Sequence, residues 1–103
     1  MTSDNAIEQK NEIMNGVDVD KIMNVISEIE ADASYAKIQW RATNKWIDGS
    51  LSRSRIKDFF AGNSEDKLRK QEFVLDADEP VIVAGQDSAP NSMEYILHAL
   101  ATC

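Results

Sequence analysis

Apolar residues recur at helical spacing in two stretches of the chain. In the first, Ile22, Val25, Ile26 and Ile29 fall at i, i+3, i+4 and i+7, while Lys21, Asn24, Ser27, Glu28 and Glu30 take the opposite side. Asp18 or Asp20 can cap this helix and suits the positive end of its dipole, and the pattern ends near residues 32 to 34. In the second stretch, Met93, Ile96, Leu97 and Leu100 form the stripe. Asn91 is a good N-cap, Glu94 completes a capping-box pair, and Pro90 precedes the cap, where a missing N–H costs nothing. Cys103 lies three residues after Leu100 and seven after Ile96, which places the thiol beside the apolar face of a helix entering a core.

Between the helices the period changes to two. Ala36, Ile38, Trp40 and Ala42 alternate with Lys37, Gln39, Arg41 and Thr43, predicting a strand. Asp48-Gly49 marks a turn, and a second strand follows over residues 50 to 57. A three-residue loop would set Ile56 opposite Trp40 and put Arg41, Arg53 and Arg55 on the other face. Phe59-Phe60 lead into a polar loop over residues 61 to 70, and a third strand over 72 to 76 presents Phe73 and Leu75 to one side. The run Val81-Ile82-Val83-Ala84 reads as a short buried strand or its edge. Residues 1–16 are polar, either a loose arm or a short partner-dependent helix ending at Gly16, and 17–103 form the domain. The predicted class is α+β: an N-terminal helix, a three- to four-stranded antiparallel sheet, and the cysteine-bearing helix packed on it.

Composition narrows the function classes. Eighteen acids against 11 bases give a net charge of −7 and a pI of about 4.5. Such a field does not attract phosphate backbones or acidic lipids, so neither nucleic acid nor membrane is an expected partner, although a local basic patch is compatible with it. A single cysteine makes no internal disulfide, and with no long apolar run or leader the expected home is reducing and cytoplasmic.

The closing run Pro90-Asn91-Ser92-Met93-Glu94-Tyr95-Ile96-Leu97-His98-Ala99-Leu100-Ala101-Thr102-Cys103 resembles the first cysteine helix of the OsmC/Ohr-like family. Upstream pieces agree in order: Asn15-Gly16-Val17-Asp18, then Trp46 and Gly49 with Ser52-Arg53-Ser54, then Asp76-Ala77-Asp78-Glu79-Pro80, and Gly85 with Asp87. The resemblance covers residues 15 to 103 and is to the longer, helix-prefixed branch. It implies the N-terminal half of that fold, a stress-related protein, and an intertwined homodimer with its sites at the subunit interface. It also implies thiol-dependent reduction of organic hydroperoxides. Cys103 would be the nucleophile, oxidised to a sulfenic acid, with a resolving cysteine beyond this chain and electrons from a dithiol donor. No cofactor or metal is implied. Where the compact branch carries an activating arginine and its glutamate partner, this sequence has Ile47 and Met93.

From the residues alone, Cys103 reads either as a nucleophile or as a small packed side chain. A nucleophilic thiol needs a nearby cation, which Arg41, Arg53 or Arg55 could supply, with Arg53 inside the family-like piece. The same arginines also read as a solvated strand face. Glu94 is nine residues before Cys103, on the far side of an ideal helix, so its first role is to close the capping box; it could also bind an arginine at the helix mouth. His98 points away from the thiol and reads as a packed residue, since one His and one Cys make no zinc site. Trp40, Trp46, Tyr35 and Tyr95 read either as the lining of an apolar pocket or as core and dimer packing. The resemblance makes a site-completing second copy of the chain the expected partner. The alternative role for the chain is a non-catalytic OsmC-like subunit that binds a small ligand or serves assembly.

Overall fold

The computed structural model describes residues 12–103, so the expectation for residues 1–16 lies largely outside the described residues. The chain is α+β, with an N-terminal helix, small antiparallel sheets and a C-terminal cysteine-bearing helix. It opens on a two-residue hairpin, β1 (Ile13–Met14) against β2 (Val17–Asp18). Asn15 and Gly16 have φ of 51° and 79°, the paired left-handed residues that close a tight hairpin. Asp18 then caps helix α1 (Val19–Ala31) by accepting from the Lys21 N–H, and Asp32 terminates it. Both ends match the expected bounds.

Asp32 also caps a 3-10 turn, Ala33–Ala36, so the strand expected from residue 36 begins later. Residues 37 to 42 run extended, with one isolated bridge between Gln39 and Phe60. The ladder starts at β3 (Thr43–Asp48), which pairs with β4 (Leu51–Ile56). The register also differs from the expected one. Asp48 faces Leu51 across Gly49-Ser50, and a bulge at Ile47 then sets Trp46 opposite Ser52 and Thr43 opposite Arg55. Ile56 therefore has no ladder partner in β3, and Trp40 lies outside the sheet. Gly49, at φ 56°, supplies the turn's left-handed residue.

The polar loop expected over residues 61 to 70 contains a second hairpin. Strands β5 (Phe59–Ala61) and β6 (Ser64–Asp66) close through Gly62 and Asn63, both near φ 60°. Strand β7 (Phe73–Ala77) completes the three-stranded sheet, in order β3-β4-β7, pairing Ile56 with Phe73 and Arg53 with Asp76. Direct opposition puts Arg53, Arg55, Lys45, Val74 and Asp76 on one face and Ser52, Ser54, Trp46 and Leu75 on the other. After Pro80 the chain makes a 3-10 turn, Val81–Val83, where a short buried strand was expected. It is not buried: Ile82 is 91% exposed. Helix α2 (Ser92–Thr102) follows with the full capping box between Asn91 and Glu94.

Packing is where the fold departs most from the pattern. No apolar side chain is buried among the described residues, and the α2 stripe that should enter a core is open, with Leu100 71% exposed. The chain extends over 65 × 29 × 25 Å. Its radius of gyration is 20.2 Å, against about 13 Å for a compact chain of this length.

The α2 capping box generates one prediction. Asn91→Ala removes one reciprocal hydrogen bond and should lower stability by about 1 kcal/mol in urea denaturation followed by circular dichroism. Asn91→Ser should recover most of that loss.

Candidate functional site

The best-built polar centre joins the end of the sheet to the helix that carries Cys103. Asp78, one residue beyond β7, is only 3% exposed and is the one buried residue among those described. Its Oδ1 accepts from the Ser50 hydroxyl and, at 2.7 Å, from the Glu79 N–H. Its Oδ2 accepts from the Ser88 hydroxyl at 2.7 Å and the Ser88 N–H at 3.2 Å. Four donors stabilise the anion, so the Ser50 and Ser88 hydroxyls, followed by the Glu79 N–H, hold this carboxyl far below the usual carboxylate range. The Asp78 N–H donates to the Pro90 carbonyl at 3.2 Å, which fixes where α2 begins. Within the loop, Gly85 lies against the Glu79 peptide so closely that a Cβ would be 1.8 Å from the Glu79 carbonyl oxygen. That contact explains why glycine is needed there.

Helix α2 meets the sheet through Tyr95, whose hydroxyl donates to the Asp76 carbonyl. On the exposed edge of the same helix, Asp87, Ser88, Glu94, Tyr95 and His98 line an open hollow. Glu94 accepts from the Asn91 N–H at 3.0 Å, the capping role expected of it. His98 lies on the hollow's wall rather than in a packed interior.

Cys103 ends α2 as its C-cap and is exposed. No ion pair or hydrogen bond reaches it among the described residues. It is therefore not the packed side chain of one alternative reading.

The three candidate cations are each engaged elsewhere. Arg53 makes a two-pronged pair with Asp76 at 2.7 and 2.9 Å, which holds the Asp76 carboxyl below its ordinary range and raises the guanidinium. Arg41 pairs in the same way with Glu65 at 2.7 and 2.5 Å, and Arg55 pairs with Glu72. Arg53 and Arg55 do share a face, whereas Arg41 lies outside the ladder. Asp76 links Arg53 to Tyr95, and Cys103 is eight residues further along α2, about 12 Å along the axis. Within one chain, then, Arg53, Glu94 and Cys103 do not converge.

The four aromatic candidates are equally dispersed. Trp40 stacks on Phe59 at 4.9 Å, Trp46 donates to the Gly49 carbonyl, and Tyr35 packs beneath the Gly62 turn. Tyr95 serves the sheet contact. They do not form a common pocket. No group of three or more His, Cys, Asp or Glu residues is placed to hold a metal among the described residues. No helix among them is long and apolar enough to cross a membrane. Sequence reasoning missed the Asp78 cluster because its hydroxyl partners lie 28 and 10 residues away and leave no local signal.

No family model matches the chain, and no curated protein matches it either.

Two outcomes follow from the cluster. Because the folded Asp78 carboxyl titrates below its unfolded value of about 3.9, its contribution is complete above that pH and is lost as pH falls below it. Urea midpoints measured from pH 5 down to pH 3 should fall, and Asp78→Asn should flatten that slope while leaving the part due to Asp76 and Glu65. Gly85→Ala should destabilise by about 2 kcal/mol or more, since the Cβ must displace backbone rather than a flexible side chain.

Proposed function

We propose that this chain is an OsmC-like, stress-related subunit that reduces organic hydroperoxides with Cys103, in a reducing cytoplasmic setting and as a homodimer. The observation that carries the reading is the exposed thiol on the last turn of a helix anchored at its other end by the capping box and by Asp78. The ordered motif resemblance supports the same reading. In the reaction, the Cys103 thiolate attacks the terminal hydroperoxide oxygen, the O–O bond breaks, and the alkoxide leaves as an alcohol after taking a proton. The sulfenic acid then condenses with one thiol of a dithiol donor, releasing water. The donor's second thiol attacks that mixed disulfide, which restores Cys103 and leaves the donor oxidised.

The cation for the thiolate comes from the second copy. Arg53 is the preferred group, with Asp76 holding its fork until the subunits pair. Glu94 has one carboxylate oxygen on the Asn91 N–H, and its other oxygen is available to orient an incoming guanidinium.

The ion pairs of Arg41, Arg53 and Arg55 favour a second reading: a non-catalytic OsmC-like subunit that binds a small ligand or serves assembly. Intact-mass analysis after cumene hydroperoxide, with dimedone present to trap sulfenic acid, separates the two. The peroxidase reading expects a rapid stoichiometric adduct that is absent from Cys103→Ser. It also expects trapping on the order of tenfold slower in Arg53→Gln, the rate equivalent of about 1.4 kcal/mol. An unmodified thiol at millimolar peroxide selects the second reading.

A further inference from the structure

The net charge of −7 conceals a basic block. Residues 37–70 carry nine lysines and arginines against four acids, a net of +5, so the field of the whole chain does not describe this part of its surface. The fold gathers aromatic rings within that block. Trp40, on the extended segment outside the sheet, is 67% exposed and rests on Phe59 at a centroid distance of 4.9 Å, the planes 35° apart. The Arg69 guanidinium lies over Phe59 at 4.8 Å and over Phe73 at 5.0 Å, and it donates to the Lys57 carbonyl at 3.0 Å. Those contacts hold the loop over residues 67 to 72 beside the rings. Trp40, Phe59 and Arg69 line one open hollow with Arg41, Ala42 and Ile56. None of Arg53, Glu94 and Cys103 belongs to that lining. The carboxylates nearby are engaged: Glu65 pairs with Arg41 and Glu72 with Arg55, Asp58 lies 3.7 Å from Lys57, and Asp66 accepts from the Leu68 N–H. Lys67, Arg69 and Lys70 have no ion pair among the described residues.

An open indole, a guanidinium stacked on rings and two lysines on the same loop combine a flat apolar face with uncompensated positive charge. A single strand of nucleic acid offers both complements in every nucleotide, a base with a π-face and one phosphate. An acidic peptide supplies carboxylates but no comparable face. A duplex presents base edges rather than faces, and it would carry its phosphate charge across the acidic remainder of this chain. We infer that this patch binds a short stretch of single-stranded nucleic acid, with a base stacked on Trp40 and phosphates on Lys67, Arg69 and Lys70. Arg69 is already fixed by its two rings and the Lys57 carbonyl, so one of the three cations is placed before the strand arrives, which lowers the ordering cost. These contacts reach the base face and the phosphate, so DNA and RNA strands bind alike. The inference goes beyond the peroxide reading and does not depend on it.

The test is fluorescence anisotropy of a labelled oligodeoxyuridylate of about ten nucleotides, titrated with the full chain. Three neutralised phosphates predict that log K falls with log salt at a slope of about −2 between about 0.05 M and about 0.3 M. The Lys67→Gln/Lys70→Gln double variant, which changes only exposed side chains, should bring that slope to about −0.7. Trp40→Ala should weaken binding about tenfold and leave the slope unchanged. An abasic strand of the same length should bind the unsubstituted chain about tenfold more weakly, and Trp40→Ala should weaken the abasic strand no further. The ribo form of the strand should bind within about threefold of the deoxy form. Absence of binding at millimolar chain and low salt overturns the inference. So does equal affinity for the abasic strand, which would leave charge alone at work; that comparison uses the unsubstituted chain and stands whether or not Trp40→Ala folds. Displacement of the oligomer by polyglutamate at equal charge would assign the patch to an acidic peptide instead.

Discussion

The Asp78 carboxylate is the interaction on which the rest of the arrangement depends. It is the only residue the described chain buries, and it is buried as an anion held by four hydrogen bonds rather than as an apolar side chain. A carboxylate removed from water without partners is strongly disfavoured, so each of those donors is needed. Through Ser50 it fixes the β3–β4 turn, through Ser88 the loop ahead of α2, and through its own N–H the Pro90 carbonyl. The position of the cysteine helix relative to the sheet follows from this cluster and from the Tyr95 hydroxyl on the Asp76 carbonyl.

The sheet's ion pairs have a different consequence. Partly exposed pairs such as Arg53–Asp76 add little to stability, because solvent screens them and two long side chains must be ordered. What they do is fix where charge is available. Arg41, Arg53 and Arg55 are neutralised within the chain, while Lys67, Arg69 and Lys70 have no ion pair among the described residues, and residues 71–103 contain no lysine or arginine. The described chain thus has an exposed thiol without a cation beside it, and an uneven distribution of unpaired charge.

The helices were legible in the sequence because their determinants are local. The Asp18 and Asn91 caps, the Glu94 box and the i, i+3, i+4 stripes each lie within a few residues of what they organise. The β7 strand was legible for the same reason. The segment from Ala36 to Ala42 alternates as a strand should, yet alternation does not supply a neighbour, and only Gln39 finds one. Gly62-Asn63 is a recognisable hairpin signal, but strands of three residues are too short to show a period. Val81–Val83 was misread because three β-branched residues suggest a strand, whereas Ala84 takes a left-handed conformation and closes a 3-10 turn. Of the candidate site, the capping role of Glu94 follows from helix position, whereas the exposure of Cys103 does not, because the apolar stripe beside it predicts a helix entering a core. The engagement of Arg53 with Asp76 depends on a register that a bulge at Ile47 sets, and no local pattern announces it.

With no apolar side chain buried among the described residues, and Trp40, Ile82 and Leu100 open, the described chain gains little from hydrophobic burial as a single copy. Its folding should therefore be coupled to association, and mass action then makes its stability depend on concentration. The direct measurement is the urea midpoint as a function of protein concentration, from low micromolar to near millimolar. Coupled folding and association predicts a midpoint that climbs steadily across that range. A midpoint independent of concentration, with a single cooperative transition, would contradict the account and assign the stability to the isolated chain.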